Sequence, residues 1–218
     1  MPKSDPSAAP EIALDPRPLD GLVSRHDADG RLVEAASFLA GRLHGPFRLY
    51  GPDGSLRREA SYVDGLADGL ATDYDEAGQK LAETDWQAGE RHGQARLFSD
   101  GRLSQVMHWQ AGRLDGPLHV YGPAGTLVAV MPYKLGKLHG TVRLYGPNGQ
   151  LMLEAEHADG WRHGPSAQWD AEGRVVERVD YIEGRPEGSS LAVQASEPAD
   201  PLRAFYAGLA REGSAEAR

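Results

Sequence analysis

The histidines and carboxylates of this chain are its first candidates for chemistry, because they recur at one position of a repeated glycine motif. In each motif, here called the box, two glycines enclose three residues, and the fourth position carries a histidine or an acid. That column reads Asp20, His44, Asp68, His92, Asp115, His139, His163 and Glu187. Imidazoles and carboxylates ligate metals and transfer protons, so the column has to be tested as a metal or catalytic site.

Strand spacing argues against a metal site in this column. Equivalent residues of consecutive hairpins lie two strands apart, about 10 Å at roughly 4.8 Å per strand. Metal–nitrogen bonds are only about 2.0–2.1 Å long, so one ion cannot join two such residues. We therefore predict no metal site, and we interpret the column as solvated turn residues that hydrogen-bond the turn backbone.

Other signatures of catalysis are missing from the sequence. It contains no nucleophile elbow, no phosphate-binding loop, no zinc-protease helix motif and no dinucleotide-binding loop. It also contains no cysteine, which excludes disulfides and thiolate metal sites. We predict a protein that is not an enzyme, with no catalytic residue and no cofactor.

Two series of glycines, held at a constant offset, determine how the chain is organised. The first glycine of each box recurs about every 24 residues, at Gly41, Gly65, Gly89, Gly112, Gly136, Gly160 and Gly184. A turn glycine precedes each of these boxes, at Gly30, Gly54, Gly78, Gly101, Gly125, Gly149 and Gly173. The runs between them are of normal strand length and too short for helices. The pattern predicts seven tandem antiparallel β-hairpins, or about fourteen strands.

Aromatic columns support a stack of hairpins. The first strands end in His26, Tyr50, Tyr74, Phe98, Tyr121, Tyr145 and Trp169. The second strands end in Phe38, Tyr62, Trp86, Trp109, Tyr133, His157 and Tyr181. We interpret both columns as packing between neighbouring repeats, because a stack of hairpins has few other ways to bury apolar area.

The glycine segments resemble a known repeat family. Tyr145-Gly-Pro-Asn-Gly-Gln-Leu, followed by Gly160-Trp-Arg-His-Gly164, is similar to MORN repeats, and most similar to the bacterial variant of the YwqK-family antitoxins. The resemblance covers residues 17–188. It implies an all-β fold with an elongated, single-layer, twisted sheet that contacts proteins or lipid head groups. In some bacterial members it implies neutralisation of a toxin.

The two ends of the chain differ from the repeats. Residues 1–16 contain no apolar signal region, and we expect a disordered tail and a cytoplasmic protein. Residues 189–199 read as a linker. Residues 200–212 are typical of a short helix, with Asp200 as N-cap and Pro201 at the first helical position. This helix would either cap the last hairpin or bind a partner.

Two strands in the middle of the chain carry apolar residues where other repeats are polar. The polar face of one repeat has Arg57, Glu59 and Ser61. Its counterparts in the central repeats include valines, and the opposite face there is apolar as well. Exposed apolar patches mark interaction sites, unless the sheet curls or the C-terminal helix covers them. The predicted partner-binding residues are Val106, His108, Trp109, Val128 and Val130.

The charge of the chain limits the class of partner. The formal net charge is −9, which argues against nucleic acid and anionic membranes and favours a basic protein. The leading hypothesis is a protein-binding scaffold of the antitoxin or immunity type that neutralises a cognate toxin or effector. The toxin part of this hypothesis is implied by the resemblance alone. The oligomeric state is left open.

Two alternatives remain at this stage. One is a membrane-associated scaffold that binds lipid head groups through a basic stripe composed of Arg48, Arg96 and Arg143 with Arg42, Arg113 and Lys137. The other is a purely structural spacer, about 65–70 Å long if each repeat advances about 10 Å.

Overall fold

The fold was analysed in a computed structural model that describes residues 19–187. The predicted tail (1–16), linker (189–199) and C-terminal helix (200–212) lie outside the described residues. The strands are β1 (Gly21–His26), β2 (Leu32–Leu39), β3 (Arg42–Tyr50), β4 (Leu56–Val63), β5 (Leu66–Ala67), β6 (Gly69–Tyr74), β7 (Lys80–Gln87), β8 (Glu90–Ser99), β9 (Arg102–Gln110), β10 (Arg113–Leu114), β11 (Gly116–Tyr121), β12 (Leu127–Lys134), β13 (Lys137–Leu138), β14 (Gly140–Tyr145), β15 (Leu151–Ala158), β16 (Trp161–Trp169), β17 (Val175–Ile182) and β18 (Arg185–Pro186).

The strands form one open antiparallel sheet in which neighbours in sequence pair with each other. β1 pairs with β2, β2 with β3 and β3 with β4, and this order continues to the pair of β16 and β17. Residues 19–187 contain no helix. The expected all-β fold, a sheet built from many hairpins, is confirmed, while the count of seven repeats stays a prediction.

Two kinds of turn connect the strands. The first glycine of the box forms a two-residue turn with the residue before it, and both have positive φ, as at Asp64 (50°) and Gly65 (85°). Such turns match the right-handed twist of the flanking strands. The turn glycine instead closes a longer loop, in which the Gly54 N–H donates to the Gly51 carbonyl at 2.9 Å. Asp100-Gly101 is an exception: Asp100 also has positive φ, at 50°, so a two-residue turn replaces the longer loop. This shorter turn explains why the repeat that contains Gly101 is one residue shorter than the others.

The structure has 18 strands rather than about fourteen, for a local reason. Three long strands are divided at the fourth box position, which gives the pairs β5/β6, β10/β11 and β13/β14. At these positions the N–H groups of Asp68, Asp115 and His139 donate back to the preceding strand. The next residue is a glycine with positive φ, and the undivided strands β3, β8 and β16 have such a glycine and a register shift at the same place. The short β18 accounts for the remaining difference.

The two faces of the sheet are buried to very different degrees. Alternation along the strands places nearly all the buried side chains on one face, here called the inner face, and only Thr72 and Val106 on the outer face. Met131, Leu153 and Val142 are the largest fully buried side chains of residues 19–187. The hydrophobic core therefore lies on the inner face of the central strands, around β12 to β15.

Candidate protein-binding site

Three side chains meet at the centre of the outer face. Val106 on β9 lies opposite His119 on β11, and His119 lies opposite Val130 on β12. Cross-strand neighbours of this kind have Cβ atoms about 4.5–5.5 Å apart, so the three side chains form one continuous surface. Two of them, Val106 and Val130, belong to the sequence prediction. His119 was not among the predicted partner-binding residues, although its position between the apolar Leu118 and Val120 indicates that it lies on the outer face.

The remaining predicted residues do not all share this surface. His108 lies two residues after Val106 on the outer face, and its Nδ1 is 3.0 Å from the Pro117 carbonyl oxygen. Val128 precedes Val130 by two residues and lies at a β-bulge. Trp109 lies on the inner face, opposite Gly93. We call the group of Val106, His108, His119, Val128 and Val130 the outer-face patch.

The patch is only partly open to solvent. Val106 is buried, with 9% of its surface exposed, while His108, Val128 and Val130 are half-buried. The largest exposures of apolar side chains are found elsewhere, for example 64% at Trp161. Val106 therefore packs beneath the other residues of the patch, and a partner would contact those residues directly.

Ion pairs border the patch on both sides, in the same row of cross-strand neighbours on the outer face. Arg96 pairs across the strands with Val106, and its Nη1 lies 3.3 Å from Glu83. On the other side Arg143 pairs with Val130, and its Nε lies 2.8 Å from Glu154. The patch is therefore an apolar interval in an otherwise charged row.

The first of these ion pairs includes a third group. Lys80 also contacts the Glu83 carboxylate, and its hydrogen bond holds the pKa of Glu83 below the ordinary value. Arg96 lowers the same pKa to a smaller extent. Glu83 is therefore a carboxylate at neutral pH, so this border of the patch keeps its charges.

The predicted arginine column is neutralised within the chain. Besides Arg96 and Arg143, Arg48 has its Nε 4.0 Å from a Glu59 carboxylate oxygen. All three arginines of the column thus have a glutamate on the neighbouring strand. A lipid phosphate that bound here would have to compete with these carboxylates.

Three of the four acidic members of the fourth-position column hydrogen-bond the turn of the following repeat. The Asp20 carboxylate accepts the N–H of Ala40 at 2.6 Å, and Asp68 accepts the N–H of Ala88 at 3.0 Å. Asp115 does the same for Leu135, at 3.1 Å. The interpretation of these acids as residues that bind the turn backbone is confirmed.

Two histidines of the same column face an acid instead. His44 Nδ1 lies 3.7 Å from Asp64, and His139 Nδ1 lies 3.8 Å from Asp159. In both cases the acid is the first residue of the next box turn, at the place that Ala40 and Ala88 occupy elsewhere. No group of three metal-ligating side chains is found in residues 19–187. Five of the eight residues of the column therefore contact the turn of the next repeat.

The inner face carries a further cluster that the sequence prediction did not identify. Arg91, at the third box position, lies beside Trp86 on β7. Its guanidinium carbon is 5.8 Å from the Trp86 ring centroid and 4.8 Å from the Trp109 ring centroid. Reading the third box position as its own column would have placed Arg91 between these two aromatic residues.

A membrane-crossing helix, which needs about 20 apolar residues, is not found among the described residues.

Comparison with known proteins supports the repeat assignment at two places. No curated protein matches the sequence. A family model described as "MORN repeat variant" matches residues 43–64 and 138–159. Both stretches begin at the third residue of a box and end just before the next box glycine. Each stretch corresponds to one hairpin of the sheet, β3 with β4, apart from Arg42, and β14 with β15. The chain therefore carries the MORN repeat variant in two of its hairpins.

Proposed function

We propose that this chain is a non-enzymatic, protein-binding scaffold of MORN-type repeats, and that the outer-face patch contacts its partner. The observation that carries the proposal is the apolar interval Val106–His119–Val130 between two arginine–glutamate pairs. Interfaces commonly have an apolar centre and a charged rim, which is the arrangement seen here. The hairpins outside the two matched stretches share the same turns and glycine spacing, and we propose that they are further copies of the repeat, seven in all.

The partner that we propose is a basic toxin or effector, which this chain would neutralise in the cytoplasm as an antitoxin or immunity protein. The net charge of −9 favours fast association with a basic protein. The resemblance of the glycine segments to the YwqK-family antitoxins, which rests on the sequence alone, supports the same class of partner. Neutralisation requires only that the sheet covers the active surface of the toxin, so no catalytic group is needed.

The lipid-binding alternative has weaker support. Arg48, Arg96 and Arg143 each have a glutamate within ion-pair distance, so three of the six cations of the proposed basic stripe are paired within the chain. The spacer alternative predicts that no single patch matters for binding. A pair of substitutions in the patch separates the protein-binding proposal from the spacer alternative. Charge reversal of Arg48, Arg96 and Arg143 separates it from the lipid-binding alternative, which alone predicts loss of binding from that change.

The test is a pull-down from the native host with purified full-length protein, comparing wild type with Val128→Glu/Val130→Glu. Glutamate is compatible with the fold at position 130, because Glu59, Glu83 and Glu154 occupy the same row in other repeats. We expect the double variant to lose a stoichiometric partner, with affinity reduced about 30-fold or more, or about 2 kcal/mol. A partner that is toxic alone and silenced by this chain would support the immunity assignment.

Val176→Glu is the matched control. Val176 is 61% exposed, and it follows its turn glycine by the same interval as Val128, but it lies on β17. We expect it to retain the partner. Equal capture by wild type and the double variant, or no capture by either, would show that the outer-face patch is not the binding surface.

A further inference from the structure

The cluster of Arg91, Trp86 and Trp109 forms a second candidate surface on the inner face. Arg91 is on β8, and the two tryptophans are on the strands to either side of it, β7 and β9. The guanidinium carbon lies within about 6 Å of both ring centroids, the distance at which a cation is attracted to an aromatic face. The two rings therefore hold the arginine head group in place.

Arg91 has no acidic partner among residues 19–187. Its side chain is exposed, and no described carboxylate lies within ion-pair distance of it. Arg96 and Arg143, by contrast, are each paired with a glutamate. A guanidinium presents five N–H donors in a rigid plane. The guanidinium of Arg91 is thus held in place by the two rings, and its N–H groups have no acidic partner among residues 19–187.

The two indole nitrogens add to this excess of donors. The Nε1 atoms of Trp86 and Trp109 are buried and have no acceptor within the described part of the chain. An indole nitrogen can only donate, and a buried donor without an acceptor costs about 1–3 kcal/mol. Because these nitrogens are buried, a ligand would contact the exposed Arg91 guanidinium and not the indoles. The N–H groups of the guanidinium suit a ligand that only accepts, such as a carboxylate.

Arg162 occupies the same box position and provides an internal comparison. Its guanidinium carbon is 5.1 Å from the Tyr181 ring centroid, and Nη1 donates to the Tyr181 hydroxyl at 3.2 Å. Arg162 therefore already uses its donors within the chain. Other repeats have leucine at this position, namely Leu43, Leu114 and Leu138. Since leucine is accepted there, the fold does not require arginine at position 91.

We propose that Arg91, held between Trp86 and Trp109, binds an aspartate or glutamate side chain of a protein partner. A guanidinium can bind a carboxylate through two parallel hydrogen bonds, and tryptophan and arginine are enriched at the centres of protein interfaces. The net charge of −9 repels polyanions such as nucleic acid and anionic vesicles at long range. A single acidic residue on a protein of opposite overall charge avoids that repulsion. This site is on the opposite face from the outer-face patch and does not depend on it.

The test follows the indole N–H resonances of the isotope-labelled full-length chain by NMR. The chain has four tryptophans, so the spectrum is simple and can be assigned by substitution. The probe is the peptide acetyl-Gly-Glu-Glu-Gly-amide, and the matched probe has glutamine in place of glutamate. We expect saturable shifts at Trp86 and Trp109 with the glutamate peptide and none with the glutamine peptide.

Two variants test the arginine itself. Arg91→Leu should abolish the shifts and keep the fold, since leucine occupies this position in other repeats, whereas Arg162→Leu should leave them intact. Arg91→Lys keeps the charge without the planar fork, and we expect it to weaken binding about tenfold. For the Arg91 variants, unchanged resonances of Trp161 and Trp169 report that the chain is folded. For Arg162→Leu, the resonances of Trp86 and Trp109 serve this purpose.

Several outcomes would overturn the proposal. These are equal shifts with the glutamine peptide, shifts that persist in Arg91→Leu, and no saturable shift at all. A response to inorganic phosphate or to anionic phospholipid vesicles, without one to the glutamate peptide, would reassign the site to phosphate chemistry. None of these results bears on the outer-face patch, whose test uses residues of the other face.

Discussion

Replacing Met131 by alanine tests whether the inner face of the central strands is the hydrophobic core. Met131 is 0% exposed, and its cross-strand partner Leu118 is 5% exposed. Truncation of a buried methionine to alanine costs about 2–5 kcal/mol, the sum of lost transfer energy and the cavity that remains. The backbone accepts alanine at this position, because Ala60 and Ala155 are its counterparts in other repeats. The cost therefore arises from lost packing alone.

The size of the effect follows from the architecture. Because the described strands form one sheet, the side chains around Met131 can relax into part of the cavity. We expect a loss near the lower end of the range, about 2–3 kcal/mol in the free energy of unfolding. Urea denaturation followed by circular dichroism and tryptophan fluorescence measures this loss, provided that the two probes give coincident transitions.

Met152→Ala is the control, because Met152 lies on the outer face of β15 and is 41% exposed. Its substitution should change the free energy of unfolding by less than about 0.5 kcal/mol. A loss below about 1 kcal/mol for Met131→Ala, or equal losses for the two variants, would refute the assignment of the core to the inner face. Hydrogen exchange would then have to locate the most protected strands independently.

Two further predictions concern the turns. Asp68→Ala removes the hydrogen bond to the Ala88 N–H and should lower the free energy of unfolding by about 0.5–1.5 kcal/mol in urea denaturation, whereas Glu90→Gln should have no measurable effect. The backbone N–H of Arg174 donates a hydrogen bond to the Asp170 carboxylate and lowers its pKa in the folded chain. The carboxylate therefore stabilises the fold above its unfolded pKa of about 3.9. This stabilisation is lost as the pH falls through the lower folded-state pKa. The urea midpoint of Asp170→Asn should therefore fall less steeply below pH 5 than that of wild type, and equal slopes would contradict this linkage.

The glycine periodicity predicted the hairpins because turn geometry is a local property. A two-residue turn with positive φ at both positions, as at Asp64 and Gly65, strongly favours glycine at the second one. Even the exception could be read from the spacing, since the repeat that contains Gly101 is one residue shorter than the others. What the spacing did not reveal is the turn type, because Asp53-Gly54 and Asp100-Gly101 read alike but belong to loops of different length.

The degree of burial was harder to predict than the fold. The predicted partner-binding set grouped Trp109 with the outer-face residues, although alternation along β9 places it on the inner face. The sequence also did not show that Val106 is buried while Val128 and Val130 are half-buried. The burial of a side chain in a sheet depends on the sizes of the side chains on the neighbouring strands, and the sequence of one strand gives no information about them. The contribution of Arg91 was missed for a related reason: its two aromatic neighbours come from different repeats.

The repeat architecture separates the positions that maintain the fold from those that can acquire function. The turn glycines and the inner-face row recur because each hairpin must dock on the next. The outer-face row and the third box position vary between repeats. The position of Val130 is a glutamate in some other repeats, and the position of Arg91 is a leucine in several others. Because other residues are accepted at such a position, the stacking of hairpins does not require the departure. The valines of the outer-face patch and Arg91 are departures of this kind, one set on each face, and we propose that a protein partner makes its specific contacts at these residues.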